Sequence, residues 1–286
     1  MRTNFNGSIN SNIEFYDNYI LKKFNSKKVE NYFREKNFYL LANELKIETI
    51  PRLLDYSDTQ KQLRIQKIHG STLKSANQFF LKKLTQTINL LSQINCEDLQ
   101  YSGGESINST EDFLSHLEKR VVSIHSSEIN SDYLKSFVGF LEDFYSNISL
   151  KEINIEKKIL NMSDVGVHNS LHDNNMIFFI DFEYAGKDSY LKFFYDFILH
   201  PANKINDKNF FNVFSFFKSN IYDFDVIFDE NILRIFSFWW VLRIINNIQE
   251  DTIENKLKSK ILSQSEVKDY IKHRENTAKL FISRIL

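Results

Sequence analysis

Three oxygen-bearing side chains between residues 160 and 190 have the spacing of a phosphoryl-transfer site. Asn169 follows Asp164 by five residues, and Asp181 comes twelve residues later. In the phosphoryl-transfer template, one Asp accepts or orients the substrate hydroxyl, while an Asn and a second carboxylate hold magnesium. Magnesium prefers hard oxygen ligands, which a carboxylate, an amide carbonyl and nucleotide phosphates supply. The spacing therefore predicts Asp164 as general base and Asn169 and Asp181 as metal ligands.

The sequence around these residues predicts the elements that position them. An unbroken apolar run over residues 176–180 predicts a buried strand that ends at Asp181. Apolar residues at 159, 160 and 162 indicate a partner strand for it, and the Asp-Asn-Asn sequence at 173–175 has turn chemistry. Asp164 and Asn169 are then expected on the connecting loop.

Near the start of the chain, the sequence predicts a buried ion pair. The sequence predicts two strands with alternating polarity, separated by a hairpin turn at the Asp-Asn of residues 17–18. Lys22 lies near the end of the second strand. A helix over 31–45 carries an apolar stripe, and Glu35 shares its inward face. Because a buried acid needs a cationic partner, we expect Glu35 to pair with Lys22. Lys23 should point to the opposite face of the strand.

Together these residues resemble the aminoglycoside phosphotransferase and choline kinase superfamily, the small-molecule relatives of the protein kinases. The catalytic loop of that family usually reads His-Gly-Asp, with an Asn five residues after the Asp. Met162 stands in the place of the customary histidine, ahead of Asp164 and Asn169. Residues 180–186 are similar to the metal strand of choline kinase-like members. Gly166 stands where serine/threonine protein kinases have a lysine, which favours a small-molecule kinase.

The resemblance implies an α+β, bilobal protein kinase-like fold. Residues 1–69 would form a nucleotide-binding lobe with a small antiparallel sheet and one helix, and residues 70–286 a larger, mainly helical catalytic and substrate-binding lobe. The implied cofactors are ATP (or GTP) and Mg2+. Lys22 would grip the α and β phosphates with Glu35 fixing it, and a loop at residues 6–12 would cover the phosphates. Asp196 is expected to brace the catalytic loop.

Composition excludes several other classes of protein. A formal net charge of −1 argues against nucleic acid as the principal partner. The single cysteine fits a reducing cytoplasm, and the first six residues lack the apolar core of a signal peptide. Residues 232–248 are apolar, but Arg234 and Arg243 interrupt them, which favours a buried helix over a membrane span. We therefore expect a cytoplasmic protein without a membrane partner, whose oligomeric state stays open.

The predicted function is ATP-dependent phosphorylation of a hydroxyl group on a small molecule, such as an aminoalcohol, a sugar or an aminoglycoside-like compound. Glu183, Asp188 and nearby acids favour a cationic alcohol, although the same acids can serve the metal or the fold. The main alternative, motivated by Met162 and by the single glycine in the loop at residues 6–12, is a catalytically impaired, kinase-like nucleotide-binding regulatory module. Nucleotidyl transfer on the same scaffold is a third possibility.

A zinc hydrolase is the remaining alternative. His168 and His172 have the four-residue spacing by which one face of a helix binds zinc. The Glu that would act as base between them is absent, with Asn169 following His168 directly.

Overall fold

The computed structural model describes residues 3–5, 11–126, 128–148, 155, 158–259 and 261–286. The backbone divides into two compact units. The first comprises Met1–Asn108 and Ile155–Val226, and the second Ser109–Asn154 and Ile227–Leu286. Among the described residues, the strands are β1 (Thr3–Phe5), β2 (Ser11–Phe15), β3 (Tyr19–Phe24), β4 (Leu53–Ser57), β5 (Gln62–Gln66), β6 (Lys158–Asn161), β7 (Ser170–Asp173), β8 (Met176–Phe179) and β9 (Gly186–Ser189). The α-helices of the same residues are α1 (Val29–Glu44), α2 (Gln78–Leu91), α3 (Thr110–Ser126), α4 (Asp132–Lys135), α5 (Val138–Ser146), α6 (Tyr190–Leu199), α7 (Phe210–Asn220), α8 (Glu230–Asn247), α9 (Glu250–Lys258) and α10 (Val267–Ile285).

The N-terminal region is an antiparallel sheet with one helix. Its five strands have the order β1-β2-β3-β5-β4, and α1 follows β3 in the chain and contacts β3 and β4. Alternation of polarity along β3 directs Lys22 to the buried face, opposite Leu63 of β5, and Lys23 to the other face. Residues 6–10 of the expected phosphate-covering loop lie outside the described residues.

Two short antiparallel strand pairs in the first unit flank the loop at residues 162–169, which contains Asp164 and Asn169. β7 pairs with β8, whereas β6 pairs with β9. The prediction that the apolar segment before Asp164 pairs with the strand leading to Asp181 was therefore wrong. The physical reason is the tight turn at Asn174 and Asn175, where Asn174 adopts a left-handed backbone with φ 51°, so the neighbouring strands β7 and β8 pair locally.

Helices fill most of the remaining chain. In the first unit, α6 and α7 pack around an aromatic core formed by Phe193, Phe194, Phe197, Phe217 and Phe224. In the second unit, α3 and α10 contact α8, whose Phe236, Phe238 and Trp239 are fully buried. The helix predicted over 232–248 is α8, and among the described residues no helix has the length and apolar character needed to cross a bilayer.

The fold class expected from the sequence is confirmed. An antiparallel-sheet N-terminal region precedes a mainly helical C-terminal region. The boundary between lobes at residues 69 and 70 stays a prediction.

Candidate active site

Lys22 and Glu35 form a buried ion pair. The Lys22 Nζ lies 2.7 Å from the Glu35 Oε2, and the two side chains are 4% and 1% exposed. The carboxylate lies on the face of α1 that buries Phe38 and Ala42, as the helical stripe predicted. Lys23 instead pairs with Glu14 on the more exposed face of the sheet.

Negative charge accumulates around the Lys22 ammonium. Its Nζ is also 2.6 Å from the Asp181 Oδ1, and Glu183 lies close enough to act on it electrostatically. Burial would lower the pKa of Lys22, but these carboxylates outweigh burial and raise it, so the ammonium stays charged. Burial raises the pKa of Glu35 to about 7 against the opposing effect of Lys22. One ammonium facing three carboxylates leaves an excess of negative charge, and such a site attracts a further cation.

The residues predicted to bind metal are adjacent. The Ile180 N–H donates to the Asn169 carbonyl oxygen at 3.0 Å, which brings Asn169 beside Asp181. The Asn169 Nδ2 donates to the main-chain oxygen and to Oδ2 of Asp164, both at 3.0 Å, so its Oδ1 is the atom left for a cation. The Asp181 side chain is 41% exposed. Amide and carboxylate oxygens in a negatively charged site are suitable ligands for magnesium.

Phe182 anchors Asp181 to α1. Its ring stacks on Phe38 with centroids 4.2 Å apart and meets Tyr39 edge-on at 5.2 Å. Asp181 itself has φ 67°, in the left-handed region that few residues other than Gly, Asn and Asp occupy. The aromatic packing holds the carboxylate toward Lys22 despite this strain.

Asp164 has a strained backbone and a crowded carboxylate. Ser163 and Asp164 both have left-handed backbones, with φ 51° and 39°. The Asp164 Oδ1 is 3.3 Å from the His200 Nε2, and its Oδ2 is 3.4 Å from the His168 Nε2. Burial would raise the pKa of Asp164, but hydrogen bonds and charge from His168 and His200 hold it well below its usual range. Asp164 is therefore ionised at neutral pH.

Comparison with known proteins identifies the fold. No family model and no curated protein sequence matches the chain. Among solved structures, spectinomycin phosphotransferase in complex with ADP and spectinomycin is 14% identical, with a TM-score of 0.63 over 99% of this chain and 92% of the other. A choline kinase from Streptococcus pneumoniae is 13% identical, with a TM-score of 0.62 over 96% and 89% of the two chains. The gentamicin complex of APH(2")-IIa is 16% identical, with a TM-score of 0.64 over 98% and 93%.

The chain has the aminoglycoside phosphotransferase and choline kinase fold. The resemblance seen in the sequence is thus confirmed at the level of the fold. Within this fold, direct contacts link Lys22, Glu35 and Asp181, and hydrogen bonds through Ile180 and Asn169 continue to Asp164. All five residues predicted for the site belong to one connected cluster, and their roles toward ligands stay predictions.

The brace of the catalytic loop differs from the expected one. Asp188 is fully buried and accepts hydrogen bonds from the Asn161 Nδ2 and the Ile107 N–H, and the Asn161 Oδ1 in turn accepts from the Ser163 N–H at 2.9 Å. Asp196 instead pairs with Lys192 one helical turn earlier. The prediction that Asp196 braces the loop was therefore wrong, because the register of β6 with β9 places Asp188 there.

The acids expected to favour a cationic substrate have other partners. Asp188 is committed to the main chain and to Asn161, and Glu183 is 4% exposed beside Lys22. Neither carboxylate is evidence for the charge of a substrate.

The two histidines of the zinc alternative do not share a helical face. His168 lies in a short 3-10 turn, whereas His172 lies on β7 and bonds through its main chain to Ser71. The alternative of a helical zinc site formed by His168 and His172 was therefore wrong. Sequence reasoning missed His200 as the second neighbour of Asp164. Three strands (β7, β8 and β9) and helix α6 separate the two residues in the chain, and no local pattern relates them.

Proposed function

We propose that this chain transfers the terminal phosphoryl group of ATP (or GTP) to a hydroxyl group of a small molecule. The observation that supports this most directly is Lys22, whose Nζ contacts both Glu35 on α1 and Asp181 after β8. Catalysis of phosphoryl transfer depends on positioning and charge neutralisation, and in this arrangement a buried ammonium contacts the Glu35 and Asp181 carboxylates.

Each residue then has a defined task. Lys22 would hold the α and β phosphates, and Glu35 would fix the ammonium in place. Asn169 and Asp181 would hold magnesium, which supplies charge neutralisation on the phosphates when bound. Asp164 would orient the substrate hydroxyl and accept its proton. Because the low pKa of Asp164 makes it a weak base, it accepts the proton late, as a loose transition state allows.

The substrate class is proposed by analogy with the structural neighbours. One of them is described with ADP and spectinomycin, and another is a choline kinase. An aminoalcohol, a sugar or an aminoglycoside-like compound is therefore the substrate class to test first, although fold analogy does not name one. A net charge of −1 and a single cysteine support a cytoplasmic enzyme that does not act on nucleic acid.

The test is nucleotide consumption by the purified chain with Mg2+ and a panel of aminoalcohols, sugars and aminoglycosides. We expect hydroxyl-dependent turnover that Asp164→Asn and Asp181→Asn each reduce by at least about a hundredfold. Asp173→Asn, at the last residue of β7, is the matched control and should retain activity.

The regulatory alternative predicts a different result. Nucleotide would bind, as measured by calorimetry, and the Lys22→Met variant would lose that binding, yet no alcohol would be phosphorylated. That outcome would replace the proposed enzyme with a nucleotide-binding module. Product with a nucleoside monophosphate attached would instead indicate nucleotidyl transfer.

A further inference from the structure

Two stacked histidines contact the Asp164 carboxylate. The rings of His168 and His200 have centroids 4.4 Å apart and planes inclined by 12°. Each presents Nε2 to a different carboxylate oxygen, at 3.4 and 3.3 Å. Met162, at the position of the customary histidine, is 1% exposed and contributes no polar group to the loop.

The hydrogen-bond partners of His200 define its tautomer. The Ala202 N–H donates to the His200 Nδ1 at 3.1 Å, so that nitrogen carries a lone pair. In a neutral imidazole the other nitrogen then carries the hydrogen. The His200 Nε2–H therefore points at the Asp164 Oδ1 as a donor.

A buried asparagine ties the turn that carries His200 to the loop that carries Asp164. Asn203 is fully buried, and its Oδ1 accepts from the Val167 N–H at 3.0 Å. Its Nδ2 donates to the Phe197 carbonyl at 2.8 Å and to the Val165 carbonyl at 3.4 Å. These bonds connect the turn of His200 to the loop of Asp164, and the His200 side chain is only 14% exposed.

Gly166 makes room for the same arrangement. A Cβ at this position would lie 2.7 Å from the His168 Nδ1 and 2.8 Å from the Asn203 Oδ1. Any larger residue would displace either the ring or the amide.

A metal ion is the competing explanation for one carboxylate and two imidazoles. Their ligand atoms lie within 4.8 Å of one another. However, an ion in the plane of one ring would lie outside the plane of the other, because the rings are stacked. A metal-ligating histidine also donates through its second nitrogen, whereas the His200 Nδ1 accepts. The geometry favours hydrogen-bond donors over metal ligands.

We propose that His200, supported by the stacked His168, is the positioning residue that fixes the Asp164 carboxylate, in place of the histidine that position 162 lacks. The inference rests on the proposed function, since it assigns His200 to the orientation of the proposed base.

Kinetics of matched variants test the proposal. His200→Phe keeps a ring for stacking but removes the donor, and His200→Gln keeps an N–H at a similar reach. We expect His200→Phe to lower kcat by about ten- to a hundredfold with the KM for ATP changed less than about twofold. His200→Gln should recover most of kcat, and His273→Phe, at an exposed position of α10, should behave as wild type. A kcat for His200→Phe equal to wild type, or equal losses in the Phe and Gln variants, would overturn the proposal.

A measurement without substrate separates this inference from the proposed function. In 15N-histidine-labelled protein, the resonances lost in His200→Gln identify His200, which should show a protonated Nε2 and an unprotonated Nδ1. Asp164→Asn should perturb the Nε2 resonance. If this pattern is found and the wild type phosphorylates nothing, the brace stands and the enzyme assignment fails. A protonated Nδ1, or stoichiometric zinc that His200→Phe abolishes, would refute the brace itself.

Discussion

Replacing Lys22 with Met leaves the Glu35 carboxylate without its ammonium partner. The Glu35 side chain is only 1% exposed. Burial already raises the pKa of Glu35 from 4.5 to about 7 with Lys22 present, and Lys22 acts to lower it. Without Lys22, we expect Glu35 to keep its proton to still higher pH. The variant should therefore remain folded at mildly acidic pH and lose stability as the pH rises.

The magnitude follows from one proton. A group whose pKa is raised on folding contributes stability below its unfolded pKa and loses that contribution as the pH rises through its folded pKa. In the wild type, the loss of unfolding free energy stops above about pH 7, because Glu35 is then ionised and paired with Lys22. In Lys22→Met it continues at about 1.4 kcal/mol per pH unit. By pH 9 the difference in unfolding free energy should reach about 3 kcal/mol beyond its value at pH 7, within the range for breaking a buried pair.

Urea unfolding followed by far-ultraviolet circular dichroism at pH 6, 7, 8 and 9 measures this difference. Tryptophan fluorescence serves as an internal reference for unfolding of the second unit. Trp239 and Trp240 both lie on α8 in that unit, whereas Lys22 and Glu35 belong to the first unit. Lys23→Met is the matched control: its pair with Glu14 is partly exposed and should contribute less than about 1 kcal/mol without a pH slope.

A double variant isolates the cause. Lys22→Met combined with Glu35→Gln contains no titrating carboxylate at position 35, so the additional slope between pH 7 and 9 should disappear. If Lys22→Met shows no slope relative to wild type, or if the double variant retains it, Glu35 is not the group responsible and the account of the buried pair is refuted.

Three further predictions concern stability and reactivity. Gly186→Ala would place a Cβ 2.6 Å from neighbouring main-chain atoms and should lower the unfolding free energy by about 1–3 kcal/mol in urea titrations, whereas Gly139→Ala, in open space on α5, should be neutral or raise it by up to about 1 kcal/mol. Asp188→Ala leaves buried main-chain donors unsatisfied and should cost about 3 kcal/mol by thermal unfolding, more than Asp196→Ala; equal losses would contradict the assignment of the brace. Burial raises the pKa of Cys96 to about 11, so the stability contributed by the neutral thiol is present below pH 9 and lost as the pH rises through 11. Alkylation of Cys96 at pH 8, measured by mass spectrometry, should therefore be slow until urea unfolds the chain.

Local patterns were sufficient to predict the parts of the site that lie on regular elements. Alternation along β3 and the apolar stripe of α1 put Lys22 and Glu35 on facing surfaces, and the ion pair follows from the cost of burying either charge alone. Similarly, the apolar run of β8 ends where Asp181 must emerge.

Residues brought in by long-range pairing were beyond such patterns. Asp188 and Asp196 are both acids that follow β8 in the sequence. Only the pairing of β6 with β9 determines which of them contacts the catalytic loop. His200 follows the end of α6, and its approach to Asp164 depends on the contacts of Asn203 with the loop. Neither contact has a periodicity that a sequence reader could detect.

The left-handed backbone at Asp164 and Asp181 determines which inactive forms of the chain are useful for trapping substrates. Asparagine enters this conformation far more readily than alanine, so an amide at either position can preserve the loop and a nearly isosteric shape while removing the charge. An alanine would remove the carboxylate and also strain the backbone. If a ligand then failed to bind in a crystal soak, either change could be the cause. Ligand discovery on this chain should therefore start from the amide forms.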